Sequence, residues 1–176
     1  MKSILAAILL LGSGIASSAF AAERHREAGA HQHGHGKVEI AMEGSELVIE
    51  LHAPANDIVG FEHAAKSAED KAAITTAQKT LEDFSKVIIL PSDAGCRLTT
   101  ASAELEREAD RSDHASFHAS YTFACDKLSA LSTISFKYFE TFSRAEELDV
   151  AVISTKGQKS FEATPKEPAI DLAGLN

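Results

Sequence analysis

The chain lacks the short signatures on which several large enzyme classes depend. It has no His-Glu-x-x-His, no Gly-x-Ser-x-Gly and no phosphate-cradling glycine loop, so zinc-peptidase, serine-hydrolase and nucleotide chemistry have no recognisable motif. Cysteine is scarce. The two present, Cys96 and Cys125, are not in the Cys-x-x-Cys spacing of thiolate metal sites, and in an oxidising compartment a disulfide is the default. Closing a loop of about 30 residues contributes roughly 3–4 kcal/mol in the chain-entropy model. Beyond Met1 the only methionine is Met42, which argues against a thioether copper(I) site. Positive charge is also short: 17 Lys and Arg stand against 26 Asp and Glu, for a net charge of −9. That balance argues against nucleic acid and anionic membrane as partners and suits cations.

Long apolar runs are limited to one. Ile4 to Ile15 follows a basic Lys2 and precedes Ala19-Phe20-Ala21, the pattern of a cleavable export signal at 1–21 and too short for a spanning helix of about 20 residues. No membrane insertion is expected of the remainder, and the destination reads as the periplasm. Removal of 1–21 takes away Lys2 and moves the charge from −9 to −10. The 155 residues from Ala22 to Asn176 suffice for one domain with its own core.

What the chain does have is histidine close behind the signal. Four of its eight histidines, His25, His31, His33 and His35, fall within eleven residues. His-x-His-x-His is compact ligand spacing, and it makes metal handling the leading hypothesis. An amino-terminal copper(II) site needs histidine third, whereas cleavage after Ala21 makes His25 fourth.

Residues 22–35 read as a flexible His-rich lead-in and 36–164 as an α+β domain, with 165–176 as a tail marked by Pro165 and Pro168. Val38, Ile40 and Met42, then Leu47, Ile49 and Leu51, alternate with polar positions around Gly44-Ser45, which predicts a β-hairpin. Its loop sets Glu43 opposite Glu46, Glu39 opposite Glu50 and Lys37 opposite His52. An irregular connection is expected over Ala55 to His63. Ser67 then caps a helix expected over 67–89, with Ile74, Ala77, Leu81, Phe84 and Ile88 on one face. The rest reads as antiparallel strands, alternating most cleanly through Phe117, Ala119, Tyr121 and Phe123.

Parity turns the odd-numbered residues of the first strand outward, so His33, His35 and His52 could converge on one ion. A site of imidazoles, with or without a carboxylate, suits zinc best; the competing reading is a solvated linker. Gly60-Phe61-Glu62-His63 is a second candidate, in which Glu62 or His63 completes a metal shell or Phe61 simply anchors a loop. His114 and His118 lie four residues apart on an expected strand, about 13 Å, too far to bind one ion together. Glu104 to Asp113 is an acidic stretch that reads as a solvated hairpin tip or a weak cation collector.

The export signal, His31-Gln32-His33-Gly34, PANDIVGFEH at 54–63, Cys96 and SDHASFHASYTFAC at 112–125 together resemble the ZrgA-type periplasmic zinc-uptake proteins. The likeness runs from about His31 to Gln158 and is most specific at Val59 to His63. It implies an accessory protein that binds zinc and assists an inner-membrane zinc transport system, with His31, His33, His63, His114 and His118 as ligand candidates. In two places the chain departs from that pattern: only Glu104 to His114 replaces a longer His- and acid-rich insertion, and Ser116 stands where an acidic residue is common. The expectation is therefore a non-enzymatic α+β zinc protein with a Cys96–Cys125 bridge. Its metal residues are His31, His33, His35, His52, His63 and His118, and its partners are zinc and a transporter component. The competing class is a cell-envelope interaction module with incidental histidines, and a metal-dependent hydrolase is a third.

Overall fold

Apolar alternation on both sides of Gly44 closes the opening hairpin, β1 (His35–Glu43) against β2 (Glu46–Pro54). Its register is the expected one, with Lys37 opposite His52 and Glu39 opposite Glu50. The computed structural model describes residues 33–107 and 114–176. The expected leader, His25, His31 and the acidic residues Glu108, Asp110 and Asp113 lie outside the described residues.

Seven further strands follow: β3 (Ile88–Ile89), β4 (Cys96–Arg107), β5 (Ala115–Cys125), β6 (Thr133–Phe136), β7 (Glu147–Ser154), β8 (Gly157–Ala163) and β9 (Ala169–Asp171). The large sheet has order β4-β5-β2-β1-β7-β8 and the small one β3-β6-β9. The α+β class holds, with one feature that alternation could not show: β1 and β7 run parallel. One face of the large sheet carries the core. Val38, Ile40, Leu47, Ile49, Phe117, Tyr121, Phe123, Leu148 and Val150 are buried there with Leu81 of the long helix and Ile88, Ile134 and Ile170 of the small sheet. Each such side chain contributes about 1.5–3 kcal/mol on burial. On the opposite face Lys37, Glu39, His52, Glu104, Glu106 and Ile153 are exposed.

Three expectations are corrected. The helix does not run over 67–89. A five-residue helix, α1 (Ala55–Val59), precedes the main one, α2 (Ala68–Glu82), which ends seven residues early. Ser67 caps α2 as expected, in a reciprocal box with Asp70. After Asp83 a 3-10 turn over Phe84–Lys86 releases the chain, and the β-branched Ile88 and Ile89 pair with Phe136 and Ser135 of β6. Phe84 thus packs on the core from the 3-10 turn and Ile88 from a strand, because strand partners distant in sequence override local periodicity. Residues 165–176 are not a tail: β9 pairs with β6, and Ile170, Leu172 and Leu175 are buried. Nor is the lead-in flexible up to residue 35. His33 and Gly34 form a turn, and His35 opens β1.

The disulfide joins Cys96 and Cys125, which face each other across β4 and β5. It closes the end of the sheet remote from Glu104 and His118.

Candidate metal centre

The PANDIVGFEH segment turns the chain at the end of β2. α1 stops at Gly60, whose φ of +85° completes a left-handed cap with its N–H on the Asn56 carbonyl at 3.0 Å. That turn places Glu62 at the end of the sheet, where Arg107 of β4 holds the loop by donating to the Glu62 and His63 carbonyls at 3.0 and 2.9 Å.

The Glu62 carboxylate is only 9 % exposed and stands between two imidazoles. Its Oε2 lies 3.1 Å from His114 Nδ1. Oε1 lies 3.2 Å from His33 Nε2, off the line of a hydrogen bond, and this buried oxygen has no hydrogen-bond partner among the described residues. A buried acceptor left in that state costs about 1–3 kcal/mol, and a cation between carboxylate and rings would remove the cost. Two imidazole nitrogens and a carboxylate are a zinc-type donor set.

His33 is held in place through its neighbour. The Gly34 N–H donates to both oxygens of Asp57, at 2.9 and 3.0 Å, and the Gly34 carbonyl accepts from the Glu146 and Glu147 N–H groups at 2.8 and 2.9 Å. Gly34 has a φ of +86°, which a side chain would strain. Asp57 is 1 % exposed, and burial raises its carboxyl above the usual range against the lowering effect of the Gly34 bond and of His33.

A second cluster lies on the open face. Glu104, His118, His52 and Lys37 sit side by side across β4, β5, β2 and β1. The His52 and His118 rings stack at 4.3 Å, 7° from parallel. His118 Nε2 lies 2.7 Å from Glu50 Oε2 and Nδ1 3.5 Å from Glu106 Oε1. Burial of its face, then the nearby His118, lowers the pKa of His52.

The histidines foreseen as one site are therefore distributed. His33 joins Glu62 and His114. His35 has Nδ1 3.5 Å from Glu147 Oε1 on β7, while His52 stacks on His118 of β5, on the other side of the hairpin, so His33, His35 and His52 do not form one cluster. His63 is exposed, stacks on Phe61 at 4.7 Å and has Nδ1 3.1 Å from the Ala64 carbonyl; these contacts are within its own loop. His31 lies outside the described residues. Sequence reasoning weighed Glu62 and His114 but left both out of the favoured set, and it did not single out Glu50. The signal for Glu50 was available, since it shares the outward parity of His52. Glu104 and Glu106 are not at a hairpin tip but face outward from β4.

No curated protein matches the chain. Among the described residues no helix is long and apolar enough to cross a membrane. The model of the ZrgA family zinc uptake protein matches residues 30–172, a span that includes the Gly34–Asp57 anchor, the Glu62 loop and both histidine clusters, and the chain belongs to that family.

Proposed function

We propose that this is a periplasmic zinc-binding protein that buffers zinc or delivers it to a high-affinity uptake system, with zinc as its cargo and Glu62, His33 and His114 as the core of the binding centre. The observation that carries this reading is the buried Glu62 carboxylate held between two imidazoles with one oxygen lacking a hydrogen bond among the described residues. His31 and His63 flank these residues in sequence and are proposed as additional ligands. The zinc-uptake role of the family supports the cargo assignment, and the hydrophobic leader supports export. The family is one of uptake proteins rather than enzymes, and a binding role requires only capture and release.

His33 hangs from a turn fixed by Asp57, and Glu62 from a loop fixed by Arg107. Both are thereby positioned before an ion arrives, which reduces the ordering entropy that binding must overcome. Neutral imidazole is the ligand form, so uptake weakens as pH falls through the histidine range.

The test is a chelator-competition titration of the mature protein with zinc, beside His33→Ala and His114→Ala. Submicromolar affinity in the wild type, lowered at least tenfold in each variant, is expected. Affinity no better than micromolar, or variants that bind as the wild type does, would overturn the assignment in favour of an interaction module with incidental histidines.

A further inference from the structure

The outer face of the large sheet contains an arrangement that the Glu62 centre does not use. His118 is four residues beyond His114, which immediately precedes β5, about 13 Å of extended chain, so one ion cannot bridge the two. Its Nε2 is 2.7 Å from Glu50 Oε2, and the other Glu50 oxygen accepts from Ser120 Oγ at 2.8 Å. A carboxylate fixed in this way places the imidazole proton on Nε2, the arrangement by which proteins orient metal-binding histidines. The Nδ1 lone pair is then directed outward and meets Glu106 Oε1 at 3.5 Å, beyond ordinary hydrogen-bond length. That approach is satisfied by a second imidazole proton or by a bound cation, and the acidic side chains gathered around it favour the cation.

Glu104 completes the group. One ligand atom each from Glu104, Glu106 and His118 lie within 4.8 Å of one another. Ligand atoms around a zinc-type ion are roughly 3.3–3.5 Å apart at bond lengths of about 2.0–2.2 Å, a contraction that rotation of two exposed glutamates supplies. His52 covers the face of the His118 ring and so limits its rotation. The Nδ1 lone pair lies in the ring plane, and stacking leaves it free.

We propose that His118, Glu104 and Glu106 form a second, independent site for a divalent first-row metal ion, with Glu50 as the residue that positions His118. With one imidazole and mobile carboxylates the site is weaker and exchanges faster than the Glu62 centre. Its position four residues further along the chain puts a loosely held ion near a tightly held one.

Zinc titration of the mature protein with a weak chelator, followed by equilibrium dialysis, tests this. The wild type is expected to bind two ions, His114→Ala to keep the weaker, and His118→Gln or Glu104→Gln/Glu106→Gln to keep the tighter. Glu50→Gln is expected to weaken the second site at least tenfold while leaving the first unchanged. Glu50, Glu104, Glu106 and His118 lie on the open face, and unchanged thermal unfolding of all the zinc-free variants confirms that they fold. Long-range proton–nitrogen spectra of the imidazoles supply a second readout, with His118 carrying its proton on Nε2 and zinc perturbing Nδ1. The proposal is overturned if His118→Gln binds zinc as the wild type does, or if His118 carries protons on both nitrogens at pH 7.5 and ignores zinc. Loss confined to the His114→Ala arm likewise overturns it, whereas loss confined to the His118 and Glu104/Glu106 arms supports it and overturns the Glu62 centre instead.

Discussion

Glu62→Gln tests the metal centre most sharply because its effects on the zinc-free and zinc-bound states have opposite signs. The substitution preserves shape and removes charge from a side chain that is 9 % exposed. Without zinc, the wild type keeps one buried oxygen with no hydrogen bond among the described residues, a defect of about 1–3 kcal/mol, and the other close to His114. Removing the charge relieves the first and weakens the second, so the zinc-free variant should lie within about 1 kcal/mol of wild type, on the stable side. With zinc at 100 times the wild-type dissociation constant, linkage adds about 2.7 kcal/mol to the wild type. A variant binding 100-fold more weakly gains only about 0.4 kcal/mol by the same relation. For a domain of this size about 3 °C accompanies each kcal/mol, so the zinc-induced rise should be about 8 °C in the wild type and about 1 °C in the variant. Differential scanning calorimetry with and without zinc measures both. A zinc-free variant less stable by more than about 2 kcal/mol would show Glu62 to be a structural brace. A full zinc-induced rise in the variant would show that it is not a ligand.

Four other substitutions probe the site and the core beneath it. Gly60→Ala forces a Cβ into the left-handed region, 3.2 Å from the Arg144 guanidinium, and should lower stability by about 1–2 kcal/mol and weaken zinc binding, measured by urea unfolding and competition titration. Tyr121→Phe and Tyr138→Phe should act in opposite directions in urea melts. The Tyr121 hydroxyl donates to the Leu81 carbonyl at the end of α2 at 2.6 Å, so its loss costs about 1–2 kcal/mol. The buried Tyr138 hydroxyl has no partner among the described residues, so its loss should raise stability by about 1 kcal/mol; equal effects would refute the contrast. His52 has its pKa lowered by burial and by His118, so the unfolded chain takes up its proton first. Stability should therefore fall as pH drops through about 6.5, and His52→Gln should flatten that slope in pH-dependent melts.

Local chemistry made much of the fold readable. The hairpin and its register follow from a period-2 pattern and a two-residue turn, the start of α2 from Ser67 and Asp70, and the disulfide from two cysteines in a chain whose leader predicts export. The end of α2 was not readable, because Phe84 and Ile88 keep helical spacing while Ile88 pairs with β6. The last strand was hidden for a related reason: Ile170, Leu172 and Leu175 follow two prolines and acquire meaning only from the small sheet that receives them.

The sequence by itself pointed to the zinc-uptake family, turned the face of β1 and β2 bearing His52 outward, and limited which residue types could serve as ligands. Only the tertiary structure decided how those ligands are grouped. The neighbours of the hairpin are β5 on one side and β7 on the other, and this separates His52, stacked on His118, from His35, beside Glu147. Glu62 meets His114 across 52 residues of sequence, because a left-handed glycine, an arginine clamp and a buried aspartate bring three chain segments to one end of the sheet. Spacing along a chain limits which residues can be ligands, but the packing of distant strands determines which of them share an ion.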